Sequence, residues 1–158
     1  MKILIATDGS EYSRAAIEKC CEKAVKSENT AIKIVAVYRA YTPPGTYSLS
    51  VQYRKYAEEF KNSLHKRAEE HAEEALTIIQ ACLPAANTDL TTLVVMGAAD
   101  KIIIETAKEW NADLIVVGSH GRNFWGRTMI GSVSDSVVHH APCSVLLVRK
   151  TLSKESIK

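Results

Sequence analysis

Short aliphatic runs recur along this chain with almost no polar alternation. They are Ile3 to Ala6, Ile32 to Tyr38, Leu93 to Met96, Asp113 to Gly118 and Ser144 to Val148. A sheet with one face in water places a polar residue at every second position. Runs that lack this alternation need cover on both faces, which is the condition of a parallel sheet wrapped by helices.

Helical patterns lie between the runs. Asp8-Gly9-Ser10 closes the first strand, and Ser10 is read as the N-cap of the next helix. From Ser13 the small and apolar residues fall at Ala16, Ile17, Cys20, Ala24 and Val25. Gln52 to Leu83 repeats Tyr53, Ala57, Phe60, Leu64, Ala68, Ala72, Ala75, Ile79 and Leu83 at steps of three and four. This spacing predicts one long amphipathic helix with Lys66-Arg67 and Glu69-Glu70 on its solvated face, stopped by Pro84. Asp100 to Trp110 and Ser132 to His140 give two further helices, the last blocked by Pro142. Strand–helix alternation throughout predicts one α/β domain over residues 1–149, doubly wound around a mostly parallel sheet, with a polar tail at 150–158. Periodicity does not set the strand order.

Arg39 to Ser50 contains Pro43-Pro44-Gly45 and reads as a long loop, either a binding loop whose Tyr41 and Tyr47 cover a ligand or a surface excursion. The chain has 158 residues and a net charge of +2, with basic and acidic residues interspersed, so a nucleic-acid-binding stripe is not expected. No run approaches the roughly 20 apolar residues of a membrane span. A cytoplasmic location is therefore the expectation. Cys20, Cys21, Cys82 and Cys143 match no zinc spacing and read as reduced thiols, buried or half-buried. His139-His140 are neighbours on a helix and read as helix-end residues, not as a metal pair.

In open α/β sheets, ligands bind beyond the carboxyl ends of the strands. Thr7 and Asp8 follow the first strand. Gly118-Ser119-His120-Gly121-Arg122 follows the fourth and leads through Gly126 to Gly131-Ser132-Val133-Ser134 at a helix start. Glycines admit a ligand close to backbone N–H groups, and a helix N-terminus attracts anions. Ser132 and Ser134 add hydroxyl donors, and Arg122 and Arg127 add charge. Two readings fit: a phosphate or nucleotide site, or a glycine-rich turn that only carries the chain from strand to helix. Neither G-x-x-x-x-G-K-[ST] nor G-x-G-x-x-G occurs here. His120 either touches a phosphate or faces solvent. A phospho-acceptor role for Asp8 lacks the acidic companions it requires.

The spacing Gly118-x2-Gly121-x9-Gly131-Ser132 resembles the G-2x-G-9x-G-[S/T] motif of the universal stress protein family, in its ATP-binding branch. Ala6 to Ser10 and Ala141 to Val148 resemble the same family's first strand exit and closing strand. The resemblance implies a five-stranded parallel sheet of order 3-2-1-4-5 and an adenine nucleotide at the switch point between strands one and four. It also implies contacts from Thr7, Asp8, Val37, Met96, Gly97, Gly118, Ser119, Gly121, Arg122, Gly131, Ser132 and Val133. His120 and Ser134 join this set from the reading of the loop itself. Gly97-Ala98-Ala99 lacks the proline often found there in the family. The implied ligand is ATP, AMP or another adenine nucleotide, with Mg²⁺ on its phosphates. The implied protein is a homodimer through the last strand, regulating an unknown protein partner in a stress response. Two alternatives stand beside it: a slow ATPase or phosphotransferase, and a nucleotide-free interaction module.

Overall fold

The computed structural model describes residues 1–24, 29–40, 51–83, 88–121 and 130–149. The strands are β1 (Lys2–Thr7), β2 (Thr30–Tyr38), β3 (Thr88–Met96), β4 (Leu114–Gly118) and β5 (Ser144–Val148). The helices between them are α1 (Glu11–Ala24), α2 (Val51–Cys82), α3 (Ala99–Trp110) and α4 (Ser132–His140). The sheet has five strands in the order β3-β2-β1-β4-β5, and every pairing is parallel.

Alternate residues of each central strand enter opposite cores, as the two-residue period requires. Ile3, Ile5, Ile32 and Ile34 pack under α1 and α2 with Ile17, Ala68, Ala72 and Ile79. Leu4, Val35, Ile115 and Val117 pack under α3 and α4 with Ile103, Ala107 and Val137. Ile3, Leu4, Ile5, Ile34, Ile79 and Ile115 are fully buried, and each such side chain contributes roughly 1.5–3 kcal/mol. The unbroken aliphatic runs are the direct consequence of this two-sided cover.

The edge strand β3 is longer than its aliphatic run. Thr88-Asp89-Leu90-Thr91-Thr92 extends it at the start, in register with Thr30 to Ile34 of β2. Backbone pairing to one neighbour holds these polar residues in the sheet, so hydrophobicity did not mark them. The stripe along α2 also divides. Tyr53 and Phe60, expected in the core, are 41% and 52% exposed, and the buried positions begin at Ala68. The first turns of α2 overhang the sheet, and only its second half lies on it.

Ser10 caps α1 as expected, its Oγ accepting from Ser13 N at 3.2 Å. Helix α3 ends on Asn111 in the left-handed region, φ 53°, with Ala112 N donating to Ala107 O at 2.9 Å. His139 and His140 each donate from Nδ1 to a carbonyl one turn back, Asp135 O and Ser136 O, both at 2.8 Å. Both lie in the last turn of α4, the helix-end position that the sequence predicts. Cys20 and Cys21 are both buried in the α1–α2 core, whereas Cys82 is exposed. Among the described residues no helix is long and apolar enough to cross a membrane.

Candidate functional site: a cavity at the switch point

Strand order places β1 beside β4, with Ile3, Leu4 and Ile5 in register with Leu114, Ile115 and Val116. The chain leaves β1 toward α1 on one face and leaves β4 toward α4 on the other. The exits therefore diverge, and a crevice opens between them. It holds a cavity of about 610 Å³, bounded by both exits, the end of β2, and the inner faces of α2, α3 and α4. A side pocket of about 320 Å³ lies between Val37, Gly97, Asp100 and Val133.

The β1 exit is a rigid turn. Asp8 Oδ1 accepts from Ser10 N at 3.0 Å, and Thr7 Oγ1 accepts from Gly9 N at 3.3 Å. Gly9 has φ +72°, and a Cβ there would fall within the ring of His71 on α2. The left-handed backbone is what requires glycine here, and any side chain would also have to displace the His71 ring.

The β4 exit is stitched back to the sheet. Ser119 N donates to Val148 O at 2.7 Å, and Gly131 N donates to Ser119 O at 2.8 Å. Gly118 is a packing glycine: a Cβ on it would stand 2.7–2.9 Å from the backbone of Tyr12 and Ser13. It lets the first turn of α1 approach β4. Gly131 has ordinary room, with a Cβ meeting nothing nearer than 3.4 Å. The crowding around Gly118 is set by backbone, whereas a Cβ on Gly131 would touch the backbone of Ser119 and His120 at ordinary contact distance.

Helix α4 begins at Gly131 with no side-chain cap. Among the described residues no side chain caps its first N–H groups, in contrast with the Ser10 cap of α1. They open on the cavity that Gly131, Ser132 and Val133 line. Asp100 in the first turn of α3 accepts from Ser136 Oγ at 2.9 Å, tying α3 to α4 across the side pocket. This hydrogen bond holds the Asp100 carboxyl below its ordinary pKa. The donor set at α4, backbone N–H groups plus the exposed Ser132, fits an anionic oxygen ligand such as a phosphate.

Ten of the expected residues line the main cavity: Thr7, Asp8, Val37, Gly118, His120, Gly121, Gly131, Ser132, Val133 and Ser134. Gly97 lines the side pocket. Ser119 is fully buried and lines neither. Its backbone clips β4 to β5, and its Oγ lies 3.0 Å from His120 Nδ1. Met96 lines neither cavity and is 48% exposed. It pairs with Tyr38, which puts its side chain on the α1–α2 side of the sheet, away from the side pocket.

Two side chains behave otherwise than expected. Ser134 Oγ donates to Gly118 O at 2.7 Å in a buried contact, so this hydroxyl joins α4 to β4 and is not a spare donor. His120 does not face solvent: it is 8% exposed, with its ring 5.0 Å from that of Tyr12. Arg122, Gly126, Arg127, Tyr41 and Tyr47 lie outside the described residues, as do Pro84 and the tail at 150–158.

The lining also contains residues that the sequence reading passed over. Leu64, Arg67, Ala68 and His71 of α2 form its wall on that side, and Arg39 follows β2. Arg67 is exposed, as its place in the charge run predicts, and also lines the cavity. The missed signal is its four-residue spacing to His71, alongside Ala68 and Ala72. Those small residues seat the helix close to the sheet, and the longer neighbours reach around into the cavity. Among the described residues no cluster of histidine, cysteine or acidic groups is placed to hold a metal ion.

Comparisons with known proteins agree with this architecture. The universal stress protein family matches over residues 1–149. A universal stress protein from Staphylococcus aureus (strain USA300) is 36% identical over 149 residues, covering 93% of this chain and 82% of that protein. Among solved structures, the protein MJ0577 superposes with a TM-score of 0.78 at 22% identity, covering 96% of this chain and 97% of its own. A universal stress protein in complex with cAMP superposes with a TM-score of 0.62 at 24% identity, covering 96% and 98%. With a family match over nearly its whole length and the 3-2-1-4-5 sheet, this chain belongs to the universal stress protein family.

Proposed function

We propose that this chain is a regulatory protein that binds an adenine nucleotide at the switch point between β1 and β4. The observation that carries the reading is the uncapped N-terminus of α4, opening on a cavity of about 610 Å³ between those strands. That volume lies within the usual range for small-molecule sites. Phosphate oxygens would accept from the first N–H groups of α4 and from Ser132. The base would enter between the backbone of Val37 and the side chains of Ala99, Ile103 and Val133, which line the apolar side of the cavity. The cAMP complex of a structural relative supports this ligand class.

Asp8 is the one carboxylate on the main cavity among the described residues. With phosphates in place it would face them, which suits a divalent ion carried on the phosphates themselves. A bound nucleotide supplies charge and bulk at the mouth of the sheet, and the regulatory output follows from that change in surface. Turnover is proposed to be slow, because no second carboxylate or nucleophile–base pair accompanies Asp8 on the described lining. Pairing of two copies through the free edge of β5 belongs to the same proposal, since an exposed strand edge is a template for another strand.

Calorimetric titration of ATP with Mg²⁺ into nucleotide-free protein tests the reading. One nucleotide per chain is expected. Ser132→Asp places a negative charge where the phosphate belongs. It should leave the fold intact, because acids favour a helix N-terminus, while abolishing binding. Absence of binding by the folded wild type would overturn the proposal.

A further inference from the structure

The glycine loop and the α4 N-terminus account for one side of the cavity, and α2 forms another. Arg67 and His71 stand one turn apart on α2 and both line the cavity, with Arg39 joining them from the end of β2. Their placement relative to the glycine loop follows from a chain of close contacts. His71 lies over Gly9. The next residue toward the sheet, Asp8, has its Oδ2 against Gly121. Gly121 in turn adjoins Gly131, whose Cβ would lie 3.8 Å from Gly121 N. A path thus runs from the α4 N-terminus, across both strand exits, to the cationic side chains of α2.

The Asp8 carboxylate lies midway along this path, and the cationic side chains gather at its α2 end. Among the described residues, neither Arg39 nor Arg67 has a carboxylate within ion-pair distance, whereas Arg14, also facing α2, is paired with Glu74 at 2.7 Å. Cavity-lining guanidinium groups without a carboxylate are suited to an incoming anion, and their planar forks match phosphate oxygens. A monophosphate at the α4 N-terminus satisfies the helix end and leaves Arg67 with nothing to bind. A di- or triphosphate supplies further anionic groups along the path.

We infer that α2 is the polyphosphate wall of the nucleotide site, with Arg67, assisted by Arg39 and His71, holding the far phosphates of a nucleoside di- or triphosphate. The inference rests on the nucleotide reading above and adds what that reading leaves open: selection for ATP or ADP over AMP and cyclic nucleotides. Loss of one charged hydrogen-bonding partner corresponds to roughly a tenfold or greater loss of affinity.

The test is calorimetry with ATP and, separately, AMP, each with Mg²⁺, on the nucleotide-free full chain. Wild type is expected to bind ATP about tenfold or more tightly than AMP. Arg67→Ala should lower ATP affinity about tenfold and leave AMP affinity unchanged. Arg67 is exposed on a long helix, so the fold should survive, and Arg67→Gln serves as a second variant of similar size. Equal wild-type affinities for ATP and AMP would overturn the inference while leaving the nucleotide reading in place. So would parallel weakening of both ligands, or an unchanged ATP affinity in either variant. If folded wild type binds neither, the nucleotide reading itself fails and the inference falls with it.

Discussion

Asp8 Oδ2 rests against the face of Gly121, so close that a Cβ on Gly121 would stand 2.9 Å from it. This contact joins the exits of β1 and β4 across the crevice. The obstructing atom is the end of a side chain, so it can swing aside where backbone cannot. Gly121→Ala is therefore expected to fold with stability within about 1 kcal/mol of wild type. Its effect should fall on the site, by turning the Asp8 carboxylate. Adding Asp8→Ala removes the clash, so the two substitutions should be non-additive in thermal unfolding and in nucleotide affinity. A double-mutant cycle measures this, with a coupling of about 0.5–3 kcal/mol expected for residues in contact. Strict additivity would show that the contact is inconsequential.

Two glycines of one motif should fail in different ways. A Cβ on Gly118 meets the backbone of Tyr12 and Ser13 at 2.7–2.9 Å, and neither can yield without moving α1 from β4. Gly118→Ala should cost about 1–3 kcal/mol in denaturant unfolding, the usual penalty for overpacking. A Cβ on Gly131 finds ordinary contact at 3.4 Å, so Gly131→Ala should unfold close to wild type. If phosphates approach the α4 N-terminus, that same methyl group blocks them and affinity falls. Unfolding curves and nucleotide titrations on both variants separate the roles. A Gly131→Ala protein that binds normally would move the phosphate away from this helix end.

The contrast shows what the sequence could disclose. The aliphatic runs announced the two-sided sheet because β1, β2 and β4 are buried on both faces, and that requirement leaves a pattern in the residues. Thr88 to Thr92 left none, since an edge strand needs hydrogen bonds and not apolar side chains. Strand order came from the family resemblance alone, because pairing of β1 with β4 has no periodic signature. The spacing of Gly118, Gly121 and Gly131 picked out a segment that lines the cavity, without revealing which glycine serves packing. Arg67 and His71 were missed for a geometric reason. They flank a small-residue stripe, and their role depends on how far α2 overhangs β2, which is a tertiary property. The bond from Ser134 Oγ to Gly118 O was not legible, because a hydroxyl facing a helix start looks the same in sequence whether it donates to a ligand or to the protein.

Asp100 and Ser136 carry an acid-sensitive tie between α3 and α4. Ser136 Oγ donates to Asp100 Oδ2 at 2.9 Å, and this bond, helped by nearby backbone N–H groups, lowers the carboxyl pKa from its ordinary value of 3.8. A carboxylate with a depressed folded pKa stabilises the fold above its unfolded value and loses that contribution as pH falls through the folded one. Ser136→Ala should raise the Asp100 pKa back toward 3.8, read by carboxyl NMR titration. Wild type should be the more stable protein at neutral pH, with the difference fading below about pH 3.8. A difference that persisted unchanged into acid would place the role of Ser136 elsewhere.

The buried thiols of α1 set the alkaline limit. Burial pushes Cys20 up to about 11. Burial also pushes Cys21 up, to about 12, with the Cys82 thiol adding a hydrogen bond. Both start from an ordinary value of 9.0. The folded state therefore retains protons that the unfolded chain releases. Stability from these groups is complete below about pH 9 and is lost as pH rises through 11 to 12. Replacing both by alanine removes that dependence, although it also empties core volume and lowers stability at neutral pH by about 1–3 kcal/mol. The wild-type and double-alanine stability curves should accordingly converge between pH 9 and 11, measured by urea unfolding across the series. Alkylation gives an independent reading: at pH 8 iodoacetamide should label exposed Cys82 in the native protein, and Cys20 and Cys21 only after unfolding. Rapid native-state labelling of Cys20 or Cys21 would mean that the α1–α2 core opens far more readily than its packing implies.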